Sequence, residues 1–177
     1  MLRVVKSKLY RVFFYFFYVK SLLYAKKNKC IGIFDIDNTI ANTWPSFLEG
    51  FDDEKIRLLS LSPFQEMVDL VDSYYGSDRG IMFLTARDYR YYFLTKEWLK
   101  RHFKYNFSLV LVSSPMEKIK IIKKLRNNEI DFYDDMSYSH ELGQVKFYNV
   151  EIDEIMKISN VRYFGYEEII KFQGERK

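Results

Sequence analysis

Short apolar runs punctuate the chain, and each stops at polar residues. Cys30-Ile31-Gly32-Ile33-Phe34 stops at Asp35-Ile36-Asp37, and Ile81-Met82-Phe83-Leu84 at Thr85-Ala86-Arg87. Leu109-Val110-Leu111-Val112 stops at Ser113-Ser114-Pro115, and Ile130 to Tyr133 at Asp134-Asp135. Val145-Lys146-Phe147-Tyr148 is the candidate for a fifth strand. Continuous apolar runs bounded in this way suit strands buried on both faces of a parallel sheet.

Helical patterns fill the gaps. Ser62-Pro63-Phe64-Gln65 reads as a capping box that opens a helix towards Tyr75, with Phe64, Met67, Val68 and Val71 as its apolar stripe. Tyr91 to His102 and Glu117 to Arg126 read as two further helices, and Ile152 to Ile158 starts another. Strand and helix therefore alternate, which predicts a three-layer α/β/α sandwich around a central parallel sheet. The least regular stretch, Asn42 to Leu61, is too short for a second large domain.

Composition then divides the molecule. The 177 residues are 48% hydrophobic, enough for one domain with a real core, and a single cysteine excludes an internal disulfide framework. Two histidines without a cysteine cluster make a zinc-finger site implausible. Aromatics reach 19% and the net charge is +4, a combination that invites nucleic-acid or membrane binding. By position the charge splits. Residues 1–29 carry Arg3, Lys6, Lys8, Arg11, Lys20, Lys26, Lys27 and Lys29 and no acid, whereas residues 30–177 hold 20 basic and 24 acidic side chains. A +8 arm is joined to a −4 body.

The arm contains Val12 to Val19 (VFFYFFYV), and Leu9, Phe13, Phe16, Lys20 and Leu23 follow helical spacing. The leading expectation is an interfacial membrane helix on anionic lipid, ahead of a helix docked on the domain. A transmembrane anchor follows, since a span needs about 20 apolar residues. Single-strand nucleic-acid stacking comes last. No small-residue cleavage site follows the run near Tyr24 and Ala25, so the arm does not read as a secretory signal. The expected location is cytoplasmic, with peripheral attachment at the inner face of the membrane.

In open parallel sheets ligands bind beyond the carboxyl ends of the strands, where every polar cluster named above falls. Asp35, Asp37, Asp134 and Asp135 would crowd one mouth, and acids so close repel unless a cation sits among them. Hard oxygen ligands beside a phosphate site favour Mg²⁺. Thr85 offers a hydroxyl and Lys118 a compact positive charge, which together suit a phosphoryl group. Alternatives stand beside each residue. Asp35 and Asp37 could cap a helix, and Thr85 could simply end a strand. Arg87 divides between pairing with a structural acid and facing substrate. His102 and His140 read as surface residues, and Trp44, Trp98 and Cys30 as packing.

The sequence here resembles the haloacid dehalogenase superfamily of aspartyl-phosphate hydrolases. Its DxDx[TV] motif after a hydrophobic strand matches Asp35-Ile36-Asp37-Asn38-Thr39, and its second motif matches Thr85 in FLTAR. The third-motif lysine matches Lys118, in competition with Lys120, Lys123 and Lys124, and the acidic pair matches Asp134-Asp135 in FYDDMSY. Lys118 is preferred because Ile122 and Leu125 then fall at inward helical spacing. The resemblance spans about residues 30 to 150 and departs at Asn38, where glycine is commonest. It implies a Rossmann-like sandwich and assigns roles. Asp35 would be the nucleophile, and Asp37 the general acid and base that also ligates Mg²⁺ through its carbonyl. Thr85 and Lys118 would bind phosphate, and Asp134 and Asp135 would hold the metal together with Asp35.

The gaps between motifs leave room only for a minimal cap and hence an open site. A phosphomonoesterase acting on a phosphorylated metabolite, such as a sugar or lipid-linked phosphate, is the first expectation. A polynucleotide 3′-phosphatase is the alternative, because the segment after Thr85 looks loosely like those enzymes; the acidic body counts against it. A non-catalytic binding module on the same fold comes third.

Overall fold

A computed structural model describes residues 15–51, 53–77, 79–141 and 144–174. Five parallel strands form the central sheet: β1 (Cys30–Phe34), β2 (Gly80–Thr85), β3 (Ser108–Leu111), β4 (Glu129–Tyr133) and β7 (Val161–Phe164). Their order is β3-β2-β1-β4-β7, which puts β1 at the centre. A small antiparallel hairpin, β5 (Ser139–Glu141) and β6 (Gln144–Lys146), stands apart from the sheet.

Alternation along each strand divides the core into two layers. Ile31 and Ile33 of β1, Met82 and Leu84 of β2, and Ile130 and Phe132 of β4 share one apolar cluster. That cluster also takes in Ala25 of α1 (15–26), Ile119 and Ile122 of α5 (Pro115–Ile122), and Ile155 of α6 (Asn149–Met156). Phe34, Ile81, Phe83 and Tyr133 point the other way. They meet α2 (Glu54–Ser60), α3 (Gln65–Gly76), α4 (Tyr92–His102) and α7 (Tyr166–Gly174) through Leu58, Met67, Val71, Trp98, Leu99 and Ile169. Helices therefore cover both faces of a Rossmann-like α/β sheet. Gly32 permits the close fit on the second face, since a Cβ there would lie 2.8 Å from the Tyr74 ring.

Three local expectations change. Residues 145–148 do not join the sheet: their side chains are exposed or half-buried, and β6 pairs only with β5. The fifth sheet strand is β7, whose Arg162 interrupts the apolar run and hides it from hydropathy. The capping box at Ser62 does not form either. Ser62 to Phe64 pair with residues 40–42, through the Asn42 N–H to Ser62 carbonyl and Phe64 N–H to Ile40 carbonyl bonds, so α3 starts at Gln65 without a side-chain cap. Tertiary pairing wins over the local signal. The irregular stretch also contains a 3₁₀ turn (Trp44–Phe47) and α2.

Among the described residues the arm is a docked helix. The Ser21 hydroxyl donates to the Leu109 carbonyl at 3.2 Å, and the Ser108 hydroxyl donates to the Ser21 carbonyl at 3.3 Å. Ala25 is fully buried and accepts from the Asn128 amide at 2.9 Å. α1 thus covers the edge strand β3, which would otherwise offer unpaired backbone groups. No helix among the described residues is long and apolar enough to cross a membrane. Val12 to Phe14, with Leu9 and the basic residues before them, lie outside the described residues.

Candidate active site

Register builds the site. Phe34 pairs with Tyr133 across β1 and β4, so the next residues, Asp35 and Asp134, sit side by side beyond the strand ends. The Asp35 N–H donates to the Tyr133 carbonyl at 2.8 Å and fixes this alignment. Lys118, in the first turn of α5, reaches both acids, with Nζ 2.8 Å from Asp35 Oδ1 and 2.7 Å from Asp134 Oδ2. The sequence preference for Lys118 matches its position. Ile122 and Leu125 are buried as the spacing requires, while Lys120 is exposed, Lys123 pairs with Glu154, and Lys124 donates to the Tyr18 hydroxyl.

Asp35, Asp134 and Asp135 each offer an oxygen within 4.8 Å of the others, and all three residues are buried. Lys118 pairs with two of the three acids, and Asp135 Oδ2 has no hydrogen-bond partner among the described residues. Burial, together with Asp134 and Asp37, raises the Asp35 carboxyl to about 7 against the pull of Lys118. Burial raises Asp134 too, although Lys118 and the Met136 N–H lower it. Burial and the neighbouring acids Asp134 and Asp35 push Asp135 well above its ordinary range. Lys118 is driven the opposite way: burial disfavours its charge, but Asp134 and Asp35 outweigh that and raise it. An all-oxygen donor set with surplus negative charge and an unpartnered oxygen fits a hard divalent cation of the Mg²⁺ kind.

Asp37 is treated differently. Its carboxylate accepts two bonds from Arg87, from Nε at 2.8 Å and Nη2 at 2.7 Å, and one from the Thr43 hydroxyl at 2.8 Å. Burial works to raise its pKa, but Arg87 and Thr43 prevail and hold it below the usual carboxylate range. The side chain of Asp37 is therefore turned onto Arg87, outside the Asp35–Asp134–Asp135 group. Arg87 is itself buried, and its Nη1 has no partner among the described residues. The sequence had left Arg87 between a structural acid and the substrate; it pairs with the second acid of the site itself.

Asn38 explains a departure from the motif. It adopts φ 55°, a left-handed conformation that asparagine tolerates better than most side chains. Its amide also donates to the His140 carbonyl at 3.2 Å and accepts from the Trp44 N–H at 2.9 Å, bonds that glycine could not make. Trp44 and His140 stack at 4.7 Å. The hairpin and the 3₁₀ turn are thereby tied together above the motif.

All six sequence-predicted residues, Asp35, Asp37, Thr85, Lys118, Asp134 and Asp135, line one cleft of about 660 Å³. Thr85 is buried at the end of β2, and its hydroxyl accepts from the Arg87 N–H at 3.4 Å. The cleft also takes in Phe47, Arg57, Tyr91, His140 and Tyr148, which sequence reading did not select. Arg57 is buried, donates to Ser46 at 2.8 Å and to Glu54, and lies over the Phe47 ring. Only the aromatic and basic content of residues 44–60 could have pointed to this wall.

No family model, curated protein or solved structure matches this chain.

Proposed function

We propose that the protein is a Mg²⁺-dependent phosphomonoesterase that works through an aspartyl phosphate on Asp35, on a minimal-cap fold of the haloacid dehalogenase kind. The observation that carries this reading is the meeting of Asp35, Lys118, Asp134 and Asp135 at a mouth that also presents Thr85. Asp35, Asp134 and Asp135 would hold the cation, with the Asp37 carbonyl as a further ligand. When bound there, the ion would neutralise the acids and polarise phosphoryl oxygens.

The chain's own groups divide the reaction into two displacements. Asp35 Oδ attacks phosphorus, and the bond from phosphorus to the leaving oxygen breaks as that oxygen takes a proton from Asp37. Water then attacks phosphorus, gives its proton to Asp37, and Asp35 leaves as a carboxylate. Thr85 and Lys118 meet the phosphoryl oxygens throughout. As found, Asp37 is held ionised by Arg87, the state that suits the second step. For the first step it must carry a proton, so Arg87 must release it when substrate enters. The unpartnered Nη1 of Arg87 gives the guanidinium a second anion to turn to, the substrate phosphate.

The cleft exceeds the volume of a phosphate alone, and Phe47, Tyr91 and Tyr148 suit a ring-bearing leaving group such as a phosphorylated sugar. The test is phosphate release from an aryl phosphate with and without Mg²⁺. Asp35→Asn abolishes release, and undiminished turnover in that variant refutes the nucleophile. Mg²⁺-dependent release by the unaltered chain also disposes of the non-catalytic alternative.

A further inference from the structure

A second hollow lies on the far side of the start of α4. Tyr91 lines the catalytic cleft, and the next residue, Tyr92, lines this groove of about 460 Å³ between α1, α4 and the segment before β3. Two helical stripes face each other across it. Phe17, Lys20 and Tyr24 recur at i, i+3 and i+7 on α1, and Tyr92, Lys96 and Lys100 at i, i+4 and i+8 on α4.

The three lysines have no carboxylate partner among the described residues. Lys96 Nζ sits 5.5 Å from the centre of the Phe17 ring and 5.9 Å from that of Tyr92. Burial lowers its pKa, and the charges of Lys100 and Lys20 lower it further, so both repel it. Folding gains nothing from that repulsion; an anion would relieve it.

Rings surround the lysines, and three exposed ones pack against rings of the wall. Phe16 meets Phe17 edge to face at 5.9 Å, Phe93 meets Tyr92 edge to face at 5.4 Å, and Tyr75 stacks on Tyr105 at 4.2 Å. Phe16, Phe93 and Tyr75 are 65%, 57% and 58% exposed. A bilayer is met by a convex apolar face; here the cations line a concavity, with the exposed rings beside it.

We propose that this groove binds single-stranded polynucleotide, with Lys20, Lys96 and Lys100 on the phosphodiester backbone and the exposed rings stacked on bases. Unpaired bases are needed, since only they offer their faces. The −4 body does not oppose this locally, because the groove takes one of its lysines from the basic arm. Binding is independent of the phosphatase reading, as it needs no terminal phosphate.

The experiment is fluorescence anisotropy of the full chain with a short labelled oligothymidylate that lacks a terminal phosphate. Three neutralised phosphates predict a salt slope of about −2, so affinity falls roughly twentyfold between about 50 and about 200 mM salt. Lys20→Glu with Lys100→Glu weakens binding at least about tenfold. Phe16→Ser with Phe93→Ser weakens it between about fivefold and about 160-fold for each stacked base lost. All four side chains are exposed, and circular dichroism confirms that the variants remain folded. No anisotropy change, or binding indifferent to these variants, overturns the proposal. Binding instead to phosphatidylcholine–phosphatidylglycerol vesicles, lost in the same variants, overturns it in favour of a lipid surface.

Discussion

β4 carries one buried acid and is followed by two more, and the two places are handled in opposite ways. Asp131, inside the strand, accepts from Arg162 Nε at 2.6 Å and Nη2 at 2.9 Å and from the Tyr74 hydroxyl at 2.6 Å, with Arg79 at 3.5 Å. Arg162 is its register partner on β7, so the pairing is built into the sheet. Just past the strand end, Asp134 shares one lysine with Asp35, and Asp135 Oδ2 has no partner among the described residues. A buried acid with a full set of donors is accounted for by folding. One left short of cations is the kind that a bound cation would complete, as proposed above.

The largest expected effect sharpens the unpaired side. Asp37→Asn lowers turnover of an alkyl phosphate by on the order of a thousandfold, because both a proton donor and a base are lost. An aryl phosphate, whose leaving group needs no proton, still completes the first displacement and shows a burst of aryl alcohol before turnover stalls. Equal loss of the burst and of turnover would deny Asp37 its two-step role.

Next is the paired side. Asp131→Ala takes the charged acceptor from the buried Tyr74 hydroxyl and releases the exposed Arg162 to water, which costs about 3 kcal/mol, a fall in Tm of roughly 6–12 °C at this size. Activity per folded molecule is retained. A variant with unchanged Tm and lost activity would reverse the assignment of the two positions.

Mg²⁺ gives a smaller effect. At a concentration about 100 times its Kd it stabilises the unaltered protein by about 2.7 kcal/mol, read as a rise in Tm. Asp135→Asn loses most of that rise, yet without Mg²⁺ it is at least as stable as the parent, since a repulsive buried charge has gone. The same rise in Asp135→Asn would remove it from the cation site.

The smallest effect tests a titrating base away from both acidic positions. His102 packs against Trp98 with tilted rings, centres 4.6 Å apart, and burial, then Arg101 and Lys104, hold its pKa below the ordinary value. Below the ordinary pKa of about 6.5 the unfolded chain binds more protons than the native one, so stability falls as pH drops through that range. Thermal melts at successive pH values show this slope flattened in His102→Gln.

The site was legible in sequence where chemistry follows directly on a buried strand. Asp35, Thr85 and Asp134 stand immediately after or at the end of apolar runs, and parallel register alone brings such ends together. Lys118 was separable from its rivals because helical spacing fixes which face of α5 is buried. Contacts set by loop geometry were not legible. Nothing in the spacing of Asp37 and Arg87 says that they pair, and nothing near Asn38 says that it ties Trp44 to His140. β7 was missed because Arg162, the residue that breaks its apolar pattern, is the partner of an acid one strand away.

The most direct test of the central claim is to look for the phosphoryl group on Asp35. Asp37→Asn is mixed with an aryl phosphate and Mg²⁺, quenched in acid and mapped by mass spectrometry. The account predicts a stable fraction of chain carrying one phosphoryl group on the peptide that contains Asp35, absent without Mg²⁺ and absent when Asp35 is also changed to Asn. Phosphate release by the unaltered chain with no such adduct, or an adduct on another residue, would contradict it.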